Sequence, residues 1–151
     1  MASGVFTVSR GIFRYYAGLP AAADALLVVL LKSSGLQADD TLNNHDTLAA
    51  VLGANVEADF TNYARKVVTA SVTITEDDTN NWVSIDMPDL TWVSAGGAAN
   101  NILGKLIVCY RPDTASADAA VIPVTYHDLA TTTDGLDLTV QLNAAGFYRA
   151  A

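Results

Sequence analysis

The sequence predicts a mainly β protein, an antiparallel β-sandwich of jelly-roll-like character with one or two short helices near its N-terminus. Three observations predict it. Between residues 66 and 143, apolar and polar residues alternate with a period of two over several stretches. Turn chemistry rich in Gly, Asn, Asp and Pro separates those stretches at roughly ten-residue spacing. Strands, finally, do not alternate with long amphipathic helices, which argues against a doubly wound α/β fold. A chain of 151 residues suits one domain, 1–151, that holds a core without disulfides or metals.

The elements follow in order. Residues 6–19 place Val8, Ile12, Tyr15, Tyr16 and Leu19 at nearly helical spacing. Ser9 is the candidate cap, Gly11 works against the helix, and Gly18 with Pro20 ends it. Residues 1–20 are therefore either a helix packed across a sheet or an assembly arm reaching a neighbouring subunit. Residues 25–31 are apolar at every position, as in a strand buried on both faces. Residues 32–44, rich in Ser, Gly, Asp and Asn, form a loop. Residues 47–52 form a short helix capped by Asp46 and ended by Gly53.

From Lys66 onward, Val68, Ala70, Val72 and Ile74 alternate with mostly hydroxylated neighbours, Val67 excepted. Residues 76–81 carry strong turn chemistry. Val83, Ile85 and Met87 then alternate with Trp82, Ser84 and Asp86, and a short strand resumes over 90–93 after Pro88. A Gly/Asn loop at 94–101 precedes a central apolar strand at 102–110, and a second loop covers 112–118. The strand at 120–126 contains Pro123, which cannot donate to a ladder and marks an edge or a bulge. After a turn at 131–135, Leu136, Leu138, Val140 and Leu142 alternate with polar residues as in a strand buried on one face. A short strand at 146–149 closes the chain.

Composition narrows the function. Apolar residues make up 51% of the chain and charged residues 16%, below the roughly 25% usual for soluble domains. Such a surface is neutral-polar or partly covered by partners. The net charge is -8, and the eight bases are scattered: Arg10, Arg14, Lys32, Arg65, Lys66, Lys105, Arg111 and Arg149. Nucleic-acid binding needs clustered bases to displace counterions, so it is not expected. The acidity instead keeps a free subunit soluble before assembly. The apolar stretch at 25–31 is far too short for a bilayer, and no secretion signal is visible in residues 1–10, so no membrane association and synthesis in the cytoplasm are expected.

No chemistry-bearing pattern emerges. Cys109, the single cysteine, lies in an apolar run and reads as a small buried hydrophobe. His127 precedes Asp128, but adjacent residues on a strand point to opposite faces. His45 sits in a loop among Asn and Asp. Two histidines and one cysteine far apart match no zinc spacing, and neither Asp39-Asp40 nor Glu76-Asp77-Asp78 follows a calcium-loop pattern. Gly96-Gly97 has no helix after it to cradle a phosphate. No catalytic residue, cofactor or metal is expected, and the protein is not expected to be an enzyme. The candidate interface residues are Phe6, Ile12, Tyr15, Tyr16 and Trp82. Trp82 is either an exposed anchor or part of the packing on its strand's second face.

Four segments carry a resemblance: Val28-Val29-Leu30-Leu31, Asp89-Leu90-Thr91-Trp92, Ile107-Val108-Cys109-Tyr110 and Gly146-Phe147-Tyr148-Arg149, with Ser94-Ala95-Gly96-Gly97 between the second and third. In this order they resemble small virion structural proteins of tailed bacteriophages. The resemblance spans most of residues 5–151 and transfers no functional residue. It implies a capsid decoration (cement) protein that binds the major capsid protein on the outer surface of the head. Self-association as a homotrimer would suit three-fold positions of the shell. The alternative is a phage tail or adhesion component, whose loops at 94–101 and 112–118 contact a host receptor or glycan.

Overall fold

The computed structural model describes residues 3–143 and 145–150. At its centre lies a five-stranded antiparallel sheet in the order β1-β8-β7-β2-β3, formed by Ser3–Val5 (β1), Ala25–Lys32 (β2), Lys66–Val68 (β3), Ile102–Arg111 (β7) and Ile122–Thr132 (β8). β2 is apolar throughout because both of its faces are covered. Leu26, Val28 and Leu30 enter one core, with Leu106, Val108, Tyr110 and Val124. Leu27, Val29 and Leu31 enter a second core, with Ile107 and Cys109. Each such side chain, fully buried, contributes about 2 kcal/mol.

The first core is closed by a second β layer made of two small antiparallel sheets. One has the order β10-β5-β4, from Thr73–Asp77 (β4), Trp82–Asp86 (β5) and Tyr148–Ala150 (β10). The other pairs Leu90–Trp92 (β6) with Leu138–Val140 (β9). Helix α1 (Phe13–Ala17) adds Phe13 and Ala17 to this core, where Phe13 meets Tyr148 edge to face at 4.8 Å. The second core is closed by α2 (Asp39–Leu42) and α3 (Leu48–Ala54), through Leu42, Leu48 and Val51. The fold is thus mainly β and sandwich-like, with short helices on its outer faces.

Several local expectations are corrected. Residues 6–19 are not one helix: a 3-10 turn at Thr7–Ser9 and α1 are separated at Gly11, whose φ of +80° breaks the helix. Ser9 caps nothing; its buried hydroxyl donates to the Pro123 carbonyl at 2.6 Å. α2 occupies part of the expected loop. The cap of α3 is Thr47, whose Oγ accepts from Ala50 N at 3.2 Å, not Asp46, and Gly53 lies within the helix. The alternating stretch from Lys66 is two strands in different layers, broken around Ser71 with its φ of +62°. The strand expected over 136–142 is ordered as a ladder only at 138–140. Pro123 sits where β8 shifts register against Cys109 and just past the end of its pairing with β1, so the ladder loses nothing to it.

Candidate interaction surfaces

The N-terminal segment is built into the molecule. β1 pairs with β8 through Ser3↔His127, Gly4↔Tyr126 and Val5↔Thr125. Gly4 is required there, because a Cβ would fall 2.2 Å from the Tyr126 hydroxyl. Phe6 is buried in the second core, edge to face with Tyr126 at 5.6 Å. This corrects both the extended arm and Phe6 as a contact residue: packing on the parent chain takes the segment, Met1 and Ala2 lying outside the described residues. Tyr16 is half-buried, stacked on Tyr110 at 4.4 Å. Tyr110 in turn donates to buried Asp24 at 2.9 Å. Of the five candidates, Ile12 and Tyr15 are exposed, Tyr15 at 61%. Trp82 is half-buried, with the Arg149 guanidinium 3.9 Å over its ring, and stands on β5 rather than on the N-terminal segment.

The end of the sandwich where β7 begins joins the loop at 94–101, named from the sequence as a contact loop in the alternative reading, to two loops that the sequence did not single out. Loops at 56–62, 93–101 and 133–137 are tied together there by their backbones. Thr61 N donates to Ala99 O at 3.0 Å, Gly96 N to Thr61 O at 2.9 Å, Ala95 N to Leu136 O at 2.8 Å, and Gly135 N to Ala95 O at 2.8 Å. The buried Asn101 carboxamide accepts from Asp59 N at 2.8 Å and donates to the Asp59 carboxylate at 2.9 Å. Gly97 and Gly135, both at positive φ, pass so close that a Cβ on Gly135 would lie 3.2 Å from Gly97 Cα. Asp134 accepts from Leu136 N at 3.0 Å, and Asp137 from Ser94 N at 2.8 Å. Leu136 and Val93 project from this frame at 71% and 64% exposure, above every other large apolar residue described. Leu136 was hidden from sequence reasoning because its alternation with Leu138 and Val140 assigned it to a core face.

The titratable groups are held in structural roles. His127 lies with Nδ1 3.0 Å from Ser3 Oγ and Nε2 3.0 Å from Thr125 Oγ1. Burial, with a smaller effect of the Lys105 charge, pulls its pKa down to about 4, so the ring is neutral near pH 7. Its neighbour Asp128 pairs with Lys105, which also meets Asp39 at 2.8 Å. Burial opposes the Lys105 charge, but hydrogen bonds to Asp128 and Asp39 outweigh it and the pKa is raised. Burial pushes the Cys109 thiol up, which keeps it protonated and inert. Arg65 bridges Glu57 at 2.8 Å and Asp118 at 2.6 Å, and hydrogen bonds to both raise its pKa. Among the described residues, no three His, Cys, Asp or Glu side chains are grouped to hold a metal ion, and no helix is long and apolar enough to cross a membrane. A cavity of about 380 Å³ opens between β8 and residues 140–143 and 146–147, bordered by Leu106, His127, Leu129 and Phe147.

Comparison of the chain with protein-family models, with curated proteins and with solved structures returns no match.

Proposed function

We propose that this chain is a non-catalytic virion component of a tailed bacteriophage, a capsid decoration (cement) protein. It binds the outer surface of the major capsid protein shell and stabilises the head, self-associating as a small oligomer, a trimer at three-fold positions. The observation that carries the reading is the distribution of exposed apolar side chains. The most exposed of them fall at two places, Val93, Ile102 and Leu136 at the tied loops and Tyr15 on α1 with Ile12 just before it. Isolated apolar residues on a surface are ordinary, whereas groups of them on a fixed frame suit contact with another protein. The four segments that resemble phage virion proteins supply the kind of particle. A shell offers the same contact many times, so modest affinity at each site suffices.

A ligand that binds only the assembled shell stabilises it by mass action. The test adds the purified protein to shells of the parent phage made without this gene. Saturable co-sedimentation at many copies per head, with a rise in the temperature at which heads rupture, is expected. Protein left in the supernatant would overturn the proposal, and attachment in a few copies to tails would replace it with a tail component.

A further inference from the structure

We infer that the loop end beyond β6 and β9 is the docking surface itself, with Val93 and Leu136 at its tip. Its occupant is a protein other than this chain, presenting an apolar pocket rimmed by Lys, Arg or unpaired backbone N–H groups. Where that protein is taken to be the shell protein, the inference rests on the proposed function.

Three observations lead to it. The first is exposure: Leu136 stands at 71%, with Val93 at 64% and Ile102, which opens β7 at the same end, at 63%. The second is rigidity. Ser94 and Asn62 hold left-handed backbone conformations at φ +49° and +69°, and Gly96, Gly97 and Gly135 are also at positive φ. Glycine adopts positive φ freely, but a serine such as Ser94 holds it only where the surroundings impose it. Here the imposing groups are the cross-loop hydrogen bonds, with Asn62 Nδ2 donating to Ser94 O at 2.9 Å. A surface already fixed in its bound shape loses little conformational entropy on docking.

The third observation is charge, and it decides the occupant. Asp134 and Asp137 flank Leu136, and each uses Oδ1 to accept one backbone N–H, which leaves the carboxylate charge in place. The lysines on the strands that reach this end are already engaged, Lys32 with Asp59 at 2.7 Å and Lys105 with Asp39 and Asp128. Beside the apolar tip stand two carboxylates against one cation, Lys66, 5.2 Å over the ring of Trp92 next to Val93, so the rim is net negative. A second copy docked about a two-fold axis would set these carboxylates against one another. A basic or N–H-rich rim is complementary.

The experiment compares three variants with the wild type for binding to shells of the parent phage made without this gene. Val93→Asn with Leu136→Asn alters two exposed side chains, so the protein should melt with the wild type. Loss of an apolar anchor at the centre of an interface should weaken its binding by about tenfold or more. Asp134→Asn with Asp137→Asn keeps a carbonyl oxygen for each backbone N–H and removes only the charge. It should weaken binding at low salt and lessen the salt dependence shown by the wild type. Val8→Asn, an exposed side chain on the 3-10 turn away from these loops, should bind as the wild type does.

Wild-type binding that survives Val93→Asn with Leu136→Asn would overturn the inference and leave the proposed function standing. A wild type that binds no shell would overturn both. A wild-type oligomer that this double variant dissociates would make the occupant a second copy, which also overturns the inference.

Discussion

Phe6→Ala is the perturbation that most directly separates a built-in N-terminal segment from a free arm. The Phe6 ring is fully enclosed between β8 and the α2–α3 layer and meets Tyr126 edge to face. Removing it forfeits about 2–3 kcal/mol of transfer free energy. The lost aromatic pair adds about 0.5–1.5 kcal/mol. Together these come to about 2.5–4.5 kcal/mol, overlapping the roughly 3–5 kcal/mol seen when a buried Phe is truncated. For a domain near 150 residues, each kcal/mol moves the melting temperature by roughly 2–4 °C, so a fall of about 10 °C is expected. Circular dichroism during heating, with a urea titration to obtain the free energy, gives the measurement. Tyr15→Ala is the internal comparison: its ring is 61% exposed and its loss should cost no more than about 0.5 kcal/mol. If Phe6→Ala costs under about 1 kcal/mol, or if the two variants cost the same, the segment is not anchored as described.

Three further outcomes are expected. His127 has a folded-state pKa below its unfolded value, so its neutral form is favoured by folding. Its contribution is complete above about pH 6.5 and is lost as the pH falls toward about 4, roughly 2–3 kcal/mol in all; urea titrations across that range should show the loss, and His127→Gln should flatten it. Lys105→Met leaves Asp39 and Asp128 without their shared cation and should destabilise the chain by about 2–4 kcal/mol, moderated because both carboxylates are partly in solvent; equal melting temperatures for variant and wild type would refute this. Gly135→Ala forces a Cβ against Gly97 at a φ of +96° and should cost about 1–3 kcal/mol by urea titration.

The legible part of the fold was the part in which one physical demand sets the sequence. β2 had to be apolar at every position because both faces are buried, and the run at 25–31 expresses that alone. The turn at 76–81 was equally plain, since Asp77 accepts from the backbones of Thr79 and Asn80 and from the Asn80 side chain. Period-two alternation was less informative. It was present from Lys66 to Thr75, yet the chain changes layers in the middle, and nothing in the pattern distinguishes a strand from a crossing between sheets with the same inward face. Ser9 and Phe6 illustrate a different limit. A cap and an exposed anchor were both reasonable for their residue types, but a hydrogen bond to Pro123 and contact with Tyr126 decide their roles, and both partners lie more than a hundred residues away. The loop at 94–101 was named as a contact loop, but its junction with Leu136 was not legible, because Ala95 N reaches Leu136 O from a segment 41 residues earlier.

Electron cryomicroscopy of purified particles that contain this chain tests the proposed decoration role most directly. The account predicts density for this sandwich in many symmetry-related copies on the outer face of the head, with the β6–β9 end turned toward the shell. A head surface without that density, or the chain found in a few copies on the tail, would contradict it.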